Sequence, residues 1–308
     1  MLRQVFLWAS EEAWLRRRLP RYRFVRRAVS RFMPGEDLEA ALAATVELQK
    51  RRIGTVLTLL GENVKDETDA TGVVRHYHDV MEAIHARGLD AEVSVKLTHL
   101  GLDLDPALAG ANLVRIATRA AELGQAVAVD MEGSAYTDRT LEIFRGVRSA
   151  HANVGICLQA YLRRTAADLE RLLPLRPMIR LVKGAYAEPS ALVFPAKAEV
   201  DAEFFKLAQR LLRAAGRGGD PRVVFGTHDR RLIAEIIRWA GAEGIPPASY
   251  EFHLLYGIGR EQQRRLAAEG YRVRVLVSYG AAWFPWYMRR LAERPANVWF
   301  VAKSVFGR

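Results

Sequence analysis

The side chains best suited to chemistry in this chain are charged groups set inside or at the edge of apolar runs. Arg289 and Arg290 stand side by side behind an aromatic cluster in "YGAAWFPWYMRRLAERP", residues 279–295. Two adjacent guanidinium groups offer a bidentate clamp for a carboxylate. Lys96 lies within "SVKLT", where an unpaired buried ammonium is costly and needs a partner or a task. Asp130, at the end of the next apolar run, is the expected partner. Arg180 and Lys183 flank "LV" ahead of Gly184, two cations that can cradle an anion or a cofactor phosphate. "THD" contributes Thr227, His228 and Asp229, and "SYEFHLL" contributes His253.

Other patterns carry less. "YGIGREQ" begins like a dinucleotide fingerprint with Gly257 and Gly259, but Gln262 occupies the place of the third glycine. His76 and His78 are two apart on a predicted helix and diverge, so no metal site is expected. No serine or cysteine nucleophile signature stands out. Two chemistries remain open on the residues alone: a lysine Schiff-base aldolase using Lys96 or Lys183, and a cofactor-dependent enzyme acting on a zwitterion. The arginine pair favours the second.

Something must hold these groups together, and the periodicity says what. Strands are predicted at 54–60, 92–97, 126–131, 154–159, 178–184, 222–228, 249–255 and 272–277. Helices are predicted at 68–87, 106–123, 138–150, 166–174, 199–215, 229–241, 260–269 and 285–294. Asp105 before Pro106, and Thr165 before "AADLERLL", read as helix N-caps. Eight strands alternating with eight helices is the count of an α/β, (β/α)8 TIM barrel. The polar candidates fall at the C-terminal ends of those strands, where such a barrel gathers its chemistry. Glu62 follows the first strand, and the second, third and fourth end at Lys96, Asp130 and Gln159.

Half of the 308 residues are hydrophobic, enough for a substantial core. The single cysteine, Cys157, excludes an intramolecular disulfide and lies in the apolar run "VGICLQ". The first apolar run, "VFLWA", is too short for a signal peptide, and no stretch is long enough to span a bilayer. A cytoplasmic protein is expected. Of the net charge of +11, residues 1–35 hold +7, from nine arginines against Glu11 and Glu12. That segment, interleaved with Trp8, Trp14 and Phe24, reads as a basic amphipathic surface suited to an anionic membrane. No nucleic-acid motif accompanies it, so no nucleic-acid partner is expected. The expected organisation is an N-terminal basic helical segment, 1–50, followed by the catalytic barrel, 51–308.

Seven motifs, in order from about Thr55 to about Trp299, resemble bacterial proline dehydrogenases. They are "SVKLTHLGLDLD", "VAVDMEGSAYTDRTL", "VGICLQAYLRRT", "RLVKGAYAEP", "FGTHD", "YEFHLLYGI" and "WYMRRLAERP". The resemblance implies a distorted (β/α)8 barrel that binds FAD over its mouth, with a C-terminal helix carrying the substrate-binding arginines. It implies hydride transfer from L-proline to the flavin, release of Δ1-pyrroline-5-carboxylate, and electron delivery to a membrane quinone. Residues 1–35 would then make peripheral contact with the inner face of the membrane, and a pyrroline-5-carboxylate dehydrogenase would take the product.

Carried over residue by residue, Arg289 and Arg290 match the carboxylate clamp, with Glu293 orienting it. Lys96 and Asp130 match the charged pair beneath the substrate, Leu255 an apolar wall, and Glu62 the acid that closes the site onto a clamp arginine. The FAD-binding positions are Gln159, Arg180, Lys183, Gly184, Ala185, Lys197, Thr227 and His228. The chain departs from the pattern at four places. Leu276 replaces a tyrosine that packs on the substrate ring, and Ser278 replaces a proline. His253 replaces a glutamine beside the flavin, and Thr58 an aspartate. The loss at Leu276 makes a substituted proline such as 4-hydroxyproline an alternative substrate.

Overall fold

A computed structural model describes residues 29–284 apart from Asn63 and 217–220, together with Glu12, Trp14, Arg18, Tyr287 and Met288. The rest of residues 1–28, the predicted helix 285–294 beyond its described positions, and with it Arg289, Arg290 and Glu293, lie outside the described residues.

Eight parallel strands close into a barrel in sequence order. They are β1 Gly54–Leu59, β2 Ala91–Val95, β3 Val127–Val129, β4 Val154–Gln159, β5 Ile179–Val182, β6 Val223–Gly226, β7 Tyr250–Leu255 and β8 Arg272–Tyr279. β8 closes on β1 over six register pairs, from Gly54 beside Arg274 to Leu59 beside Tyr279. Among the described residues, the helix α1 (Leu38–Gln49) precedes the barrel. Seven then follow the first seven strands in turn: α2 Glu67–Ala86, α3 Pro106–Glu122, α4 Thr137–Arg148, α5 Thr165–Leu172, α6 Lys197–Ala215, α7 Arg230–Ala242 and α8 Arg260–Ala268. Each predicted strand, and each predicted helix up to 269, is present within a few residues of its expected bounds.

The two faces of the sheet differ in chemistry. Outward residues such as Val93, Val95, Val127, Ile156, Phe225, Phe252 and Val275 join the helices in one continuous apolar cluster. Inside, the apolar residues that cluster are few: Ala128, Met178 and Val224. The rest of the inward set is largely polar, because side chains alternate along a strand and Ser94, Asp130, Gln159, Arg180 and His253 fall on the inward parity.

The helix starts are partly as expected. Asp105 caps α3 by accepting from the Ala107 amide at 2.9 Å, with Pro106 in the first turn. Thr165 does not cap α5. It is the first helical residue, and its hydroxyl donates to the Gln159 carbonyl at 2.5 Å, tying the helix to the end of β4. Ahead of α1, the backbone at Arg31 and Phe32 lies directly against Gly257, where any Cβ would overlap the Arg31 carbonyl. Gly257 also has φ +76, so a side chain is excluded there twice over.

Candidate active site

The inward face is layered. At the N-terminal end of the barrel, Arg222 makes a paired contact with Glu251, both bonds 2.8 Å, and reaches Glu92 at 2.6 Å. Arg274 adds Asp90 at 2.8 Å and lies 3.5 Å from both Glu92 and Glu251. Burial works to raise the Glu251 pKa, but hydrogen bonds from His253 and Arg222 hold it well below the usual carboxylate range. These ion pairs form the floor of the barrel. A cavity of about 710 Å3 opens beneath them, at the end away from the predicted chemistry.

The next layer crosses the barrel. Arg180 on β5 is ion-paired with Asp130 just past β3, and its Nη2 lies 3.1 Å from the Ser94 hydroxyl on β2. Ser94 in turn donates to Asp130 at 2.8 Å. β5 neighbours neither β2 nor β3, so the contacts of Arg180 can only run through the interior. This corrects two expectations. The β2–β3 register sets Val95 beside Val129, and one step further would set Lys96 beside Asp130. Lys96 instead pairs with Glu62, from the loop after β1. The reason is burial: Arg180 is 4% exposed, and a guanidinium so enclosed demands the nearby carboxylate. Lys96, closer to the mouth, finds Glu62. Glu62 thus engages Lys96 here, and its expected arginine partner lies outside the described residues.

The second correction concerns the anion cradle. Arg180 and Lys183 face opposite ways, because three residues along a strand reverse the facing. Lys183 turns away from the interior to Asp201 on α6 and to Asp229, the N-cap of α7, at 2.8 Å. Lys197 joins the same two carboxylates. Burial raises Asp229, but hydrogen bonds from Lys183 and Lys197 overcome it and hold the pKa below the usual range. The two lysines thus sit at the rim, each ammonium balanced by aspartates.

The remaining positions lie on the ends of the strands or the loops beyond. Gln159 is buried and donates to the Glu132 carbonyl at 2.7 Å. Gly184, with φ +122, lies against the Tyr161 ring so closely that any Cβ would overlap it, and Ala185 follows. The Thr227 hydroxyl accepts from the Asp229 amide at 3.2 Å. His228 Nε2 accepts from the Leu255 amide at 2.9 Å. Leu255 and Leu276 are register neighbours on β7 and β8 and are half-buried. Thr58 and Ser278 are likewise neighbours on β1 and β8.

Several contributors escaped the sequence reading: Ser94, the floor ion pairs and Asp201. Beyond β3, the Glu132 carboxylate accepts from the Thr98 amide at 3.1 Å and the Thr98 hydroxyl at 2.6 Å. The signal for some was present, since "EVSVK" and "RVRV" alternate polar with apolar residues at the period of a strand with one polar face.

A cofactor is tested by what the interior leaves unmet. The buried Arg180 Nη1 and His253 Nδ1 have no hydrogen-bond partner among the described residues. Buried polar atoms of native proteins are nearly always bonded, so these two atoms fit a polar ring system held within the barrel.

Fold and site define a (β/α)8-barrel enzyme whose charged interior opens at the C-terminal end of the strands. The proline dehydrogenase family profile matches residues 41–303. The chain is 38% identical over 305 residues to proline dehydrogenase 1 of Bacillus subtilis subsp. natto, covering 99% of both. It is 40% identical over 280 residues to the proline dehydrogenase of Deinococcus radiodurans, covering 89% of both. In fold it resembles proline utilization A from Bdellovibrio bacteriovorus, with a TM-score of 0.82 and 24% identity over 100% of this chain and 37% of that one. The chain belongs to the proline dehydrogenase family, and it is an oxidoreductase.

Proposed function

We propose that this chain oxidises L-proline to Δ1-pyrroline-5-carboxylate with FAD as its cofactor, and that a membrane quinone takes the electrons. The observation that carries the reading is the family match across residues 41–303, backed by relatives that align over nearly the whole chain. FAD, when bound, supplies a two-electron acceptor for a hydride from the substrate carbon beside nitrogen. The protein's residues bind, orient and exclude water. Arg289 and Arg290 hold the substrate carboxylate, and Glu293 orients them. Asp130 and Lys96 set the charge beneath the substrate, and Glu62 holds Lys96. Leu255 and Leu276 form the apolar wall. Arg180, Gln159 and His253 contact the cofactor from inside the barrel. Gly184, Ala185, Thr227, His228, Lys183 and Lys197 line its rim side, where the two lysines offer cations for the phosphates.

The aldolase reading loses support because Lys96 and Lys183 are both engaged by carboxylates. An ion-paired ammonium has no lone pair to offer a carbonyl. A second substrate keeps a place because Leu276 stands where a tyrosine is expected. Anaerobic titration of the purified, flavin-loaded chain tests both. L-Proline is expected to bleach the flavin band. Bleaching by 4-hydroxyproline alone moves the assignment to that substrate, and no bleaching by either overturns the reading.

The basic segment 1–35 supports peripheral membrane contact at the inner face, where the quinone resides. No helix among the described residues is long and apolar enough to cross a membrane. Deletion of 1–35 is expected to reduce sedimentation with anionic liposomes and slow quinone reduction. If both are unchanged, that role is lost. Transfer of the product to a pyrroline-5-carboxylate dehydrogenase completes the proposed partners.

A further inference from the structure

Two buried atoms set the chemistry of the barrel interior, and one of them depends on the floor beneath it. Arg180 Nη1 is a donor under all conditions. His253 Nδ1 is a donor or an acceptor according to which ring nitrogen carries the proton. His253 is 5% exposed, and its Nε2 lies 3.4 Å from Glu251 Oε2. Glu251 is itself gripped by Arg222 through both oxygens. That grip keeps the carboxylate ionised, and an ionised carboxylate only accepts.

Burial lowers the His253 pKa to about 4, outweighing the hydrogen bond to Glu251 that favours the charged ring. The other charged groups acting on it are Arg180 from β5 and Glu92 from β2. Near neutral pH the ring therefore carries one proton. With an acceptor-only oxygen at Nε2, that proton belongs there, and Nδ1 is left with a bare lone pair inside the barrel.

We infer that Glu251 fixes His253 as an obligate hydrogen-bond acceptor facing the barrel interior, so that His253 is a positioning residue that recognises an N–H group on the bound occupant. The identity of that occupant rests on the flavin reading above. An obligate donor, Arg180, and an obligate acceptor, His253, together match a ring that carries both a carbonyl oxygen and an imide N–H, as isoalloxazine does. The glutamine expected at this position offers a donor and an acceptor on one amide. Histidine in this tautomer offers only the acceptor.

The test uses the full-length chain labelled with 15N-histidine, before and after titration with FAD. The His253 signals are assigned by their loss in His253→Gln or, should that chain not fold, in His253→Asn. Long-range 1H–15N spectra at pH 7 are expected to show a protonated Nε2 and an unprotonated Nδ1, and Nδ1 is expected to shift upfield as flavin absorbance records binding. In the loaded chain, His253→Gln is expected to raise the flavin midpoint potential, because an inward amide N–H stabilises electron density that a lone pair opposes. A protonated Nδ1, a bound flavin that leaves Nδ1 unmoved, or an unchanged potential overturns the inference. A chain that keeps the bare Nδ1 but takes up no flavin overturns the flavin reading and leaves the tautomer assignment supported.

Discussion

Leu276 and Tyr279 lie three residues apart on β8 and therefore face opposite ways. Leu276 is inward, beside Leu255 and Val56. Tyr279 is outward, and its hydroxyl lies 2.7 Å from His76 Nε2 on α2. A slipped alignment in which Tyr279 supplies the missing aromatic wall is thus closed off by strand parity. Leu276→Tyr is expected to change the proline to 4-hydroxyproline ratio of kcat/KM by about 1–3 kcal/mol, roughly tenfold to a hundredfold, in favour of proline. Steady-state kinetics with both substrates check it, and an unchanged ratio removes Leu276 from the specificity wall. The two charged pairs differ in the same residue-by-residue way. Asp130→Asn leaves Arg180 enclosed without its counter-ion and is expected to cost about 3–5 kcal/mol in urea unfolding. Lys96→Met breaks a more solvated pair and is expected to cost about 1 kcal/mol or less, while lowering turnover. Equal losses in the two variants would remove burial as the reason that Arg180 takes Asp130.

At the scale of elements, the strand–loop junctions set what each end can hold. Gly184 follows β5 with φ +122, and the Tyr161 ring fills the space a side chain would need. Gly184→Ala is expected to lower stability by about 1–3 kcal/mol and to weaken FAD uptake by displacing the loop that carries Ala185. A thermal melt paired with a flavin titration reads both, and an unchanged melt shows that Tyr161 yields at little cost. These junctions also mark where sequence reading succeeds and stops. The strands were legible because runs such as "EVSVKL" and "RVRVLV" are short, β-branched and bounded by helical periodicity. Which residues line the barrel was nearly legible, since parity assigns Ser94, Asp130, Arg180 and His253 to one face. The pairings were not. Parity names the residues that point inward, but reach and burial decide whether Asp130 meets a lysine alongside it or an arginine across the barrel. Thr165 shows the same limit: its type fits an N-cap, yet the end of β4 lies close enough to take its hydroxyl.

The whole molecule inverts the usual arrangement of a core, with an apolar shell between sheet and helices and an ionisable centre inside the sheet. Its stability should therefore follow pH through histidines the fold keeps neutral. His253, inside the barrel, and His99, against Gly61 beside Lys96 and Glu62, are each lowered to about 4, first by burial. Their neighbours act in both directions: Glu251 and Glu62 favour the charged rings, while Arg180, Lys96 and His76 oppose them. In the unfolded chain both rings titrate near 6.5. At pH 7 and above they are neutral in either state and contribute no slope. As pH falls from about 6.5 to 4, the unfolded chain takes up protons that the native chain refuses, so unfolding becomes easier by up to about 3 kcal/mol per histidine. Below that window the native rings protonate too, and further loss falls to carboxylates such as Glu251, whose native pKa is depressed. Urea midpoints for the full chain are expected to be flat from pH 7 to 9 and to drop steeply between 6.5 and 4. His253→Gln should flatten about half of that drop, and the double variant His99→Gln/His253→Gln most of it. A double variant that keeps the full slope would place the acid sensitivity elsewhere, in the ion pairs of the floor.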